Sequence, residues 1–286
     1  MSAPAQNGRS PLPLEENPLR ERRVVLRRYL RNAVIGALLA LMAYHIFVIE
    51  TDWARIGGPG DVLRTTAEFL PDLSFVPAIL DPLLETLLIA FWGTVLATAV
   101  AMPVAYIAAR NVTPVYPLTY TIGRAIIVLS RSVHELIFAL IFVSALGLGP
   151  LPGILALGIR SIGFLAKTTS EAIENVDRRP IEAMEATGAN AFSVFLFGNF
   201  PQIFPVVVGN VIFQLDINLR RASILGMVGA GGIGYVFAEQ MQAYNWNNAG
   251  TVVLGIAVMV IAGEFISNRI RTRLIGGAGA ERMGGE

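Results

Sequence analysis

Residues 82–109 read PLLETLLIAFWGTVLATAVAMPVAYIAA, a run of 28 predominantly apolar residues. A helix of this length measures about 42 Å at a rise of about 1.5 Å per residue. The hydrocarbon core of a bilayer is about 30 Å thick, and about 20 apolar residues are enough to cross it. The run therefore predicts a transmembrane helix that tilts or protrudes, and Pro103 predicts a kink within it.

Further apolar runs flank this one on both sides. The candidate spans are residues 33–49, 82–109, 125–147, 151–166, 202–218 and 249–266. The composition agrees, because 54% of the residues are hydrophobic and only 15% are charged, whereas a soluble domain carries roughly 25% charged residues. We therefore expect an all-α membrane protein with six transmembrane helices, and not a soluble enzyme.

Charge and residue types exclude two further function classes. Lys and Arg number 22 against 21 Asp and Glu, so the basic excess that phosphate contacts with nucleic acid require is missing. Cysteine is absent and only His45 and His134 are histidines, which leaves no material for thiolate or histidine-rich metal sites. We expect no nucleic-acid partner, no metal and no cofactor in this chain.

The positions of the cationic residues predict the orientation, because cytoplasmic loops retain Lys and Arg. With the N-terminus in the cytoplasm, 16 of the 22 cationic residues fall on the cytoplasmic side and four fall outside. We therefore expect both termini in the cytoplasm. The resulting segments are a cytoplasmic tail at 1–31, a first transmembrane helix at 32–50, an external segment at 51–81, a five-helix core at 82–268 and a cytoplasmic tail at 269–286.

Residues 222–236 are apolar and rich in glycine, but a seventh crossing there would place the cationic tail outside. We therefore expect this segment to be re-entrant or buried in the bundle. Gly229 to Gly234 has the spacing of a dinucleotide-binding loop, but the strand before it and the helix context are missing. Either Gly229 and Gly231 bend the backbone at a gate that Met227 and Val228 constrict, or the glycines allow close helix packing.

Charged side chains inside the predicted spans form another candidate site. A central Arg costs roughly 2.5–3.5 kcal/mol on insertion scales, so such residues are usually paired or functional. Spacing of four residues predicts two pairs, Arg131 with Glu135 and Asp216 with Arg220. Arg160 is left without a local partner. Either these charges hold the bundle together, or Arg160, Arg220 or Arg221 offers an anionic substrate a transient positive stop.

Residues 167–200 form the longest polar loop between predicted spans. Thr168, Thr169 and Ser170 are predicted to cap a short helix, and Asp177 is predicted to cap the next one. Gly188 can end that helix in a left-handed conformation, and Asn190 can cap a further helix that runs to about Asn199. The loop is either a plain connection between spans or a docking element for a cytosolic partner.

Within this loop, Glu182-Ala183-Met184, then Gly188 and then Pro201 resemble the EAA loop of permease subunits of binding-protein-dependent ABC importers. In that pattern Glu-Ala-Ala and a glycine precede an apolar-x-Leu-Pro ending. This chain keeps the spacing but has Met184, Gly198 and Phe200 at positions where the pattern has Ala, an apolar residue and Leu.

The resemblance extends over about residues 80–250, to the phosphonate importer branch of that family. It rests on Arg131-Ser132-Val133-His134-Glu135-Leu136, Gly147-Leu148-Gly149-Pro150, Ser161-Ile162-Gly163-Phe164, Ser170-Glu171-Ala172-Ile173-Glu174, Asn218-Leu219-Arg220, and Gly226 through Gly234. His134 stands where a proline is usual in that branch.

This resemblance implies the fold of a type I ABC importer permease, in a bacterial inner membrane. It also implies a homodimer, two ABC ATPase subunits that carry ATP and Mg, and an extracytoplasmic phosphonate-binding protein. The ATPase-coupling residues would be Glu182, Ala183, Met184, Glu185 and Gly188. Two alternatives stay open: an ion-coupled secondary transporter, in which Arg131, Glu135 and Arg160 would act, and an ABC permease for methionine or betaine.

Overall fold

The computed structural model describes the backbone of residues 18–51 and 58–283, and the side chains of 26–51, 58 and 60–272. The described residues form helices and no strand, which confirms the all-α prediction. The α-helices are α1 Pro18–Tyr44, α2 Pro59–Glu68, α3 Val76–Ala108, α4 Leu118–Ser132, α5 Glu135–Leu146, α6 Pro150–Glu174, α7 Arg178–Ala186, α8 Ala191–Val194, α9 Phe200–Leu225, α10 Ile233–Gln242 and α11 Trp246–Met283.

Five helical stretches of the described chain are long and apolar enough to cross a membrane. They are Leu26–Glu50, Gly60–Ala108, Pro150–Glu174, Ala191–Val228 and Trp246–Thr272. A sixth span arises if α4 and α5, which meet at an angle of 86°, are taken together. The helix α10 has ten residues, about half the length that a span needs, so the segment 222–236 adds no seventh crossing.

The predicted third span, 125–147, is divided between α4 and α5 and is not one continuous helix. Val133 and His134 have extended backbone between α4 and α5. His134 is the N-cap of α5, and its Nδ1 accepts a hydrogen bond from the backbone N–H of Leu136 at 3.3 Å. A side chain that satisfies one of the first free N–H groups favours a new helix start at this point.

The N-terminal 64 residues form one compact unit and residues 65–286 form a second. In the first unit, α1 begins within the predicted cytoplasmic tail 1–31 and passes into a π-helical segment at His45–Glu50. Its described side chains are exposed throughout Leu26–Glu50. Residues 1–17 of that predicted tail lie outside the described residues.

In the second unit α3, α6 and α9 form the centre, and small residues bring them close together. An alanine series on α3, from Ala97 to Ala108, is buried against Leu165 and Ala166 of α6. A Cβ atom added to Gly93 would lie 3.0 Å from the Cβ of Leu157. Since lipid provides no hydrophobic drive between helices, such close contacts supply packing energy inside a membrane.

The approach of α4 to α3 depends on Gly123, which gives a test of this packing. A Cβ atom there would lie 2.9 Å from the backbone of Ala108, whereas Gly36 of α1 has open space around it. We expect Gly123→Leu to lower the free energy of unfolding by about 1–3 kcal/mol through overpacking. Thermal unfolding of the purified protein in detergent measures the effect. Gly36→Leu is the control, and an equal loss in both variants would contradict the close packing of α3 and α4.

Candidate functional site

The helix α7 is exposed, and its caps are those that the sequence predicts. Asp177 accepts a hydrogen bond from the N–H of Arg179 at 3.0 Å, and Asn190 accepts one from the N–H of Ser193 at 2.8 Å. Gly188 has a φ of 77°, the left-handed conformation expected after a helix end. Glu182, Ala183 and Glu185 are exposed, and so is Gly188.

The predicted short helix after Lys167 does not exist as a separate element. The helix α6 continues to Glu174, so residues 167–174 of the predicted loop belong to it. The hydroxyl groups of Thr168 and Ser170 donate to Phe164 O at 3.1 Å and Lys167 O at 2.8 Å within the same helix. Ser and Thr hydroxyl groups can bond to backbone carbonyls inside a helix in this way. The presence of Thr168 and Ser170 therefore did not mark the start of a new helix.

One side chain of α9 holds the start of α7. Gln202 accepts a hydrogen bond from Asp177 N–H at 3.0 Å, and its amide donates to Asp177 O at 3.1 Å and to Gly198 O at 2.8 Å. Ile181 and Met184 are the half-buried residues of α7. A Cβ atom added to Gly198 would lie 3.5 Å from Ile181 and 3.6 Å from the Met184 sulfur. Gly198 therefore lies beside the half-buried side chains of Ile181 and Met184.

A groove runs beside α7. Its volume is about 610 Å³, and Glu182 and Glu185 line one side while residues 111–114 and Tyr106 line the other. The second wall is tied to the end of α6, because Asn111 donates to Ile173 O at 2.7 Å and Arg110 N–H donates to Glu174 Oε1 at 2.9 Å. Both walls of the groove are thus fixed to the helices of the core.

The same carboxylate of Glu174 also accepts from Arg124 at 3.1 Å. Arg110 Nε donates to the Tyr120 hydroxyl at 3.1 Å, and this hydrogen bond raises the pKa of the Arg110 guanidinium. Both guanidiniums lie over the Tyr120 ring, at 5.3 and 5.2 Å from its centroid. These contacts hold the loop between α3 and α4 in one arrangement.

A second site lies at the break between α4 and α5. Glu135 is buried, with Oε1 at 3.1 Å from Arg221 Nε of α9 and Oε2 at 3.7 Å from Arg160 Nε of α6. The predicted pair of Arg131 with Glu135 is wrong, because the chain turns between them and spacing of four residues no longer places them on one helix face. Arg160, for which the sequence offered no local partner, pairs with Glu135.

The predicted pair of Asp216 with Arg220 is confirmed at 2.6 Å. Arg220 also lies 3.6 Å from Glu264 of α11. Asp216 is buried and its Oδ1 atom has no hydrogen-bond partner among the described residues. These contacts fix α9 to α11 on one side, while Arg221 fixes α9 to α5 on the other.

A buried polar network in the centre of the bundle was missed from the sequence. Asn218 donates to Thr94 Oγ1 at 2.9 Å and accepts from Ser161 at 3.1 Å, and Gln214 donates to both Ser161 and Asn218 at 2.9 Å. The network joins α3, α6 and α9. Gln214 and Asn218, four residues apart in an apolar run, are the signal that could have revealed it.

The glycine-rich segment is a tight turn packed against its neighbours. Gly229, Gly231 and Gly232 all have positive φ. The N–H of Ile233 donates to Thr86 Oγ1 at 2.8 Å, and Gly229 O accepts from Gly149 N–H at 3.0 Å. A Cβ atom at Gly231 would lie 2.7 Å from Glu85 Oε1. This close approach is what the packing interpretation requires.

The side chains next to this turn differ in exposure. Met227 is 45% exposed and lines a cavity of about 340 Å³ with Leu148 and Tyr235. Val228 is half-buried against the central cluster. The described residues contain no group of three His, Asp or Glu side chains that could hold a metal ion.

The chain matches known proteins over most of its length. Residues 101–275 match the family described as binding-protein-dependent transport system inner membrane component. A putative phosphite transport system permease protein of Stutzerimonas stutzeri is 36% identical over 252 residues, which are 87% of this chain and 89% of that protein. A phosphate-import permease protein of Mycolicibacterium smegmatis is 37% identical over 92% of this chain, which spans about half, 49%, of that relative.

Among solved structures, the inward-facing MetNI methionine ABC transporter contains a chain with the same fold. The TM-score is 0.62 at 21% identity, over 71% of this chain and 99% of that one. This likeness confirms the fold of a type I ABC importer permease.

The charge cluster at the helix break can be tested against the pairing that the sequence predicted. Glu135→Gln leaves the Arg160 and Arg221 guanidiniums without their shared carboxylate, so we expect a loss of about 3–5 kcal/mol in the free energy of unfolding. Arg131→Gln is the matched control and should cost less than about 1 kcal/mol. Denaturant unfolding of the purified protein measures both free energies. A loss for Arg131→Gln as large as that for Glu135→Gln would support the pairing of Arg131 with Glu135 instead.

Proposed function

Because the chain belongs to the family of inner membrane components of binding-protein-dependent transport systems, we propose that it is the permease subunit of an ATP-driven importer of phosphonate or a related phosphorus oxyanion. The similarity to a phosphite permease protein, at 36% identity over 87% of this chain, carries this proposal. The phosphate-import relative supports the same substrate class. The family assignment makes the chain a multi-pass transport subunit that works with ATPase and solute-binding partners.

The finer arrangement is part of the proposal. Two copies of this chain form the channel, since each copy offers one α7 surface and an ABC transporter has two ATPase subunits. ATP and Mg bind to those subunits, and no P-loop sequence occurs in this chain. The charge asymmetry of 16 cationic residues against four supports cytoplasmic termini and a cytoplasmic α7.

In this proposal α7 is the helix that docks on the ATPase. Its outward face carries Glu182, Ala183 and Glu185, and its inward face carries Ile181 and Met184. ATP-driven closure of the ATPases would move α7 as a rigid body, and Gln202 would transmit that movement to α9. Since Arg221 lies on α9 and contacts Glu135, the movement also reaches the charge cluster.

The docking role predicts the effect of Gly188→Asp. We expect the variant to reach the membrane but to lose ATPase co-purification and uptake of radiolabelled phosphite, because an aspartate distorts the end of α7. Gly147→Asp is the matched control: both glycines have positive φ and open space around them, so the backbone cost of about 1–3 kcal/mol is similar. Normal uptake by Gly188→Asp would overturn the docking assignment.

The link from α7 to α9 predicts a different defect for Gln202→Leu. This variant removes the hydrogen bonds to Asp177 and Gly198 but leaves the outward face of α7 intact. We expect the ATPases to bind and hydrolyse ATP, while transport per ATP hydrolysed falls roughly fivefold or more, a coupling loss of at least about 1 kcal/mol. Parallel measurement of ATP hydrolysis and uptake in proteoliposomes tests this. An unchanged ratio would contradict transmission through Gln202, and uptake without any ATPase subunit would favour an ion-coupled transporter.

A further inference from the structure

A pocket between α4 and α6 concentrates positive charge on one face of the bundle. It has a volume of about 490 Å³ and seven lining residues, of which four are cationic and none is acidic. The cationic residues are Arg124, Arg131, Arg160 and Lys167. A small oxyanion occupies far less than this volume, so the pocket can admit one together with water.

Not all four cations are equally neutralised. Arg124 lies 3.1 Å from Glu174, and Lys167 lies 3.7 Å from Glu171. Both of these carboxylates lie towards the end of α6, outside the pocket lining. These two cations are therefore largely balanced.

Arg131 and Arg160 are different. Within the described part of the chain, Arg131 has no carboxylate within 4 Å. Arg160 shares the single carboxylate of Glu135 with Arg221, and its buried Nε atom has no hydrogen-bond partner among the described residues. Two guanidiniums, those of Arg160 and Arg221, thus share one carboxylate, and Arg160 lines the pocket together with Arg131. The excess positive charge of the pocket therefore favours the binding of an anion.

The pocket lies along the middle part of α6 and not at a helix end. Arg160 lies ten residues after Pro150, about 15 Å along α6, and Lys167 lies about 10 Å further. α6 has 25 residues, so Arg160 lies near the middle of that helix and Lys167 lies towards its C-terminal end, while Arg131 lies in the last turn of α4 and is exposed. The Arg160 side chain is 22% exposed, so its charge is less screened than that of a fully exposed arginine.

We propose that this α4–α6 pocket binds a tetrahedral phosphorus oxyanion through Arg131 and Arg160. Guanidinium groups offer paired N–H donors that match such oxygens in a bidentate geometry. Glu135 acts as a positioning residue that holds Arg160 from the side of α5. For a transported oxyanion the proposal rests on the proposed function; the phosphate group of an anionic lipid offers the same chemistry.

The absence of cysteine from the sequence gives a clean test. Ser132 lines the pocket, and Ser144 lies on α5 outside it. Both are exposed helix residues whose hydroxyls donate to the carbonyl four residues back, at 2.7 and 2.8 Å. Ser132→Cys and Ser144→Cys are therefore matched reporters. The assembled transporter is reconstituted in nanodiscs, and labelling by an anionic methanethiosulfonate reagent is timed.

Two arms separate the sources of the oxyanion. In phosphatidylcholine nanodiscs, methylphosphonate, phosphite or phosphate is added against sodium chloride of equal ionic strength. A labelling rate of Ser132→Cys that falls roughly threefold, as expected at a ligand concentration of about twice the Kd, with no change at Ser144→Cys, identifies a soluble ligand. Protection that appears only when phosphatidylglycerol is included identifies a lipid phosphate. Arg131→Gln should remove the protection in either arm.

Lack of protection in both arms would overturn the proposal. Equal protection of both cysteines, or protection that survives Arg131→Gln, would overturn it as well. Uptake of labelled phosphite by the same transporter is measured separately. Normal uptake without protection leaves the proposed function standing and removes the pocket, whereas protection by lipid in a transporter that takes up no phosphorus oxyanion removes the proposed function and keeps the pocket.

Discussion

The packing of α5, α6 and α9 depends on one buried carboxylate that pairs with two guanidiniums. Glu135 begins α5, Arg160 lies on α6 and Arg221 lies on α9, so their ion pairs join three helices at one point. Leaving such charges unpaired in hydrocarbon would be expensive. The break between α4 and α5 places Glu135 where it can reach both arginines, since the chain turns by 86° immediately before it.

Much of the fold could be predicted because the bilayer requires apolar runs of a certain length. The caps at Asp177 and Asn190 and the left-handed Gly188 could also be predicted, since each depends on residues within a few positions of it. The partner of Glu135 could not, because Arg160 and Arg221 are distant in sequence and reach it only through packing. Spacing of four residues suggested Arg131 instead, and that argument assumes an unbroken helix.

The departures from the EAA pattern also have a physical account that local reasoning could not supply. Met184 replaces a small residue on α7, and Gly198 replaces an apolar residue in the turn before α9. The structure makes these positions neighbours, since a Cβ atom at Gly198 would lie 3.6 Å from the Met184 sulfur, an ordinary van der Waals distance. The two departures from the sequence pattern therefore fall at neighbouring positions of one packed region, which spacing along the sequence does not show.

The helix α9 connects the two candidate sites mechanically. Gln202 near its start is bonded to α7, while Arg220 and Arg221, about 27 Å further along, are bonded to α11 and α5. Asn218 also ties this end to α3 and α6. A π-helical turn at Phe195–Asn199 lies directly before α9, and Pro205 lies in its first part. Bending is therefore easiest close to α7. The end that carries Arg221 is held by contacts to α3, α5, α6 and α11. Under the proposed docking role, a displacement of α7 would therefore reach the charge cluster only when it exceeds what this bend absorbs.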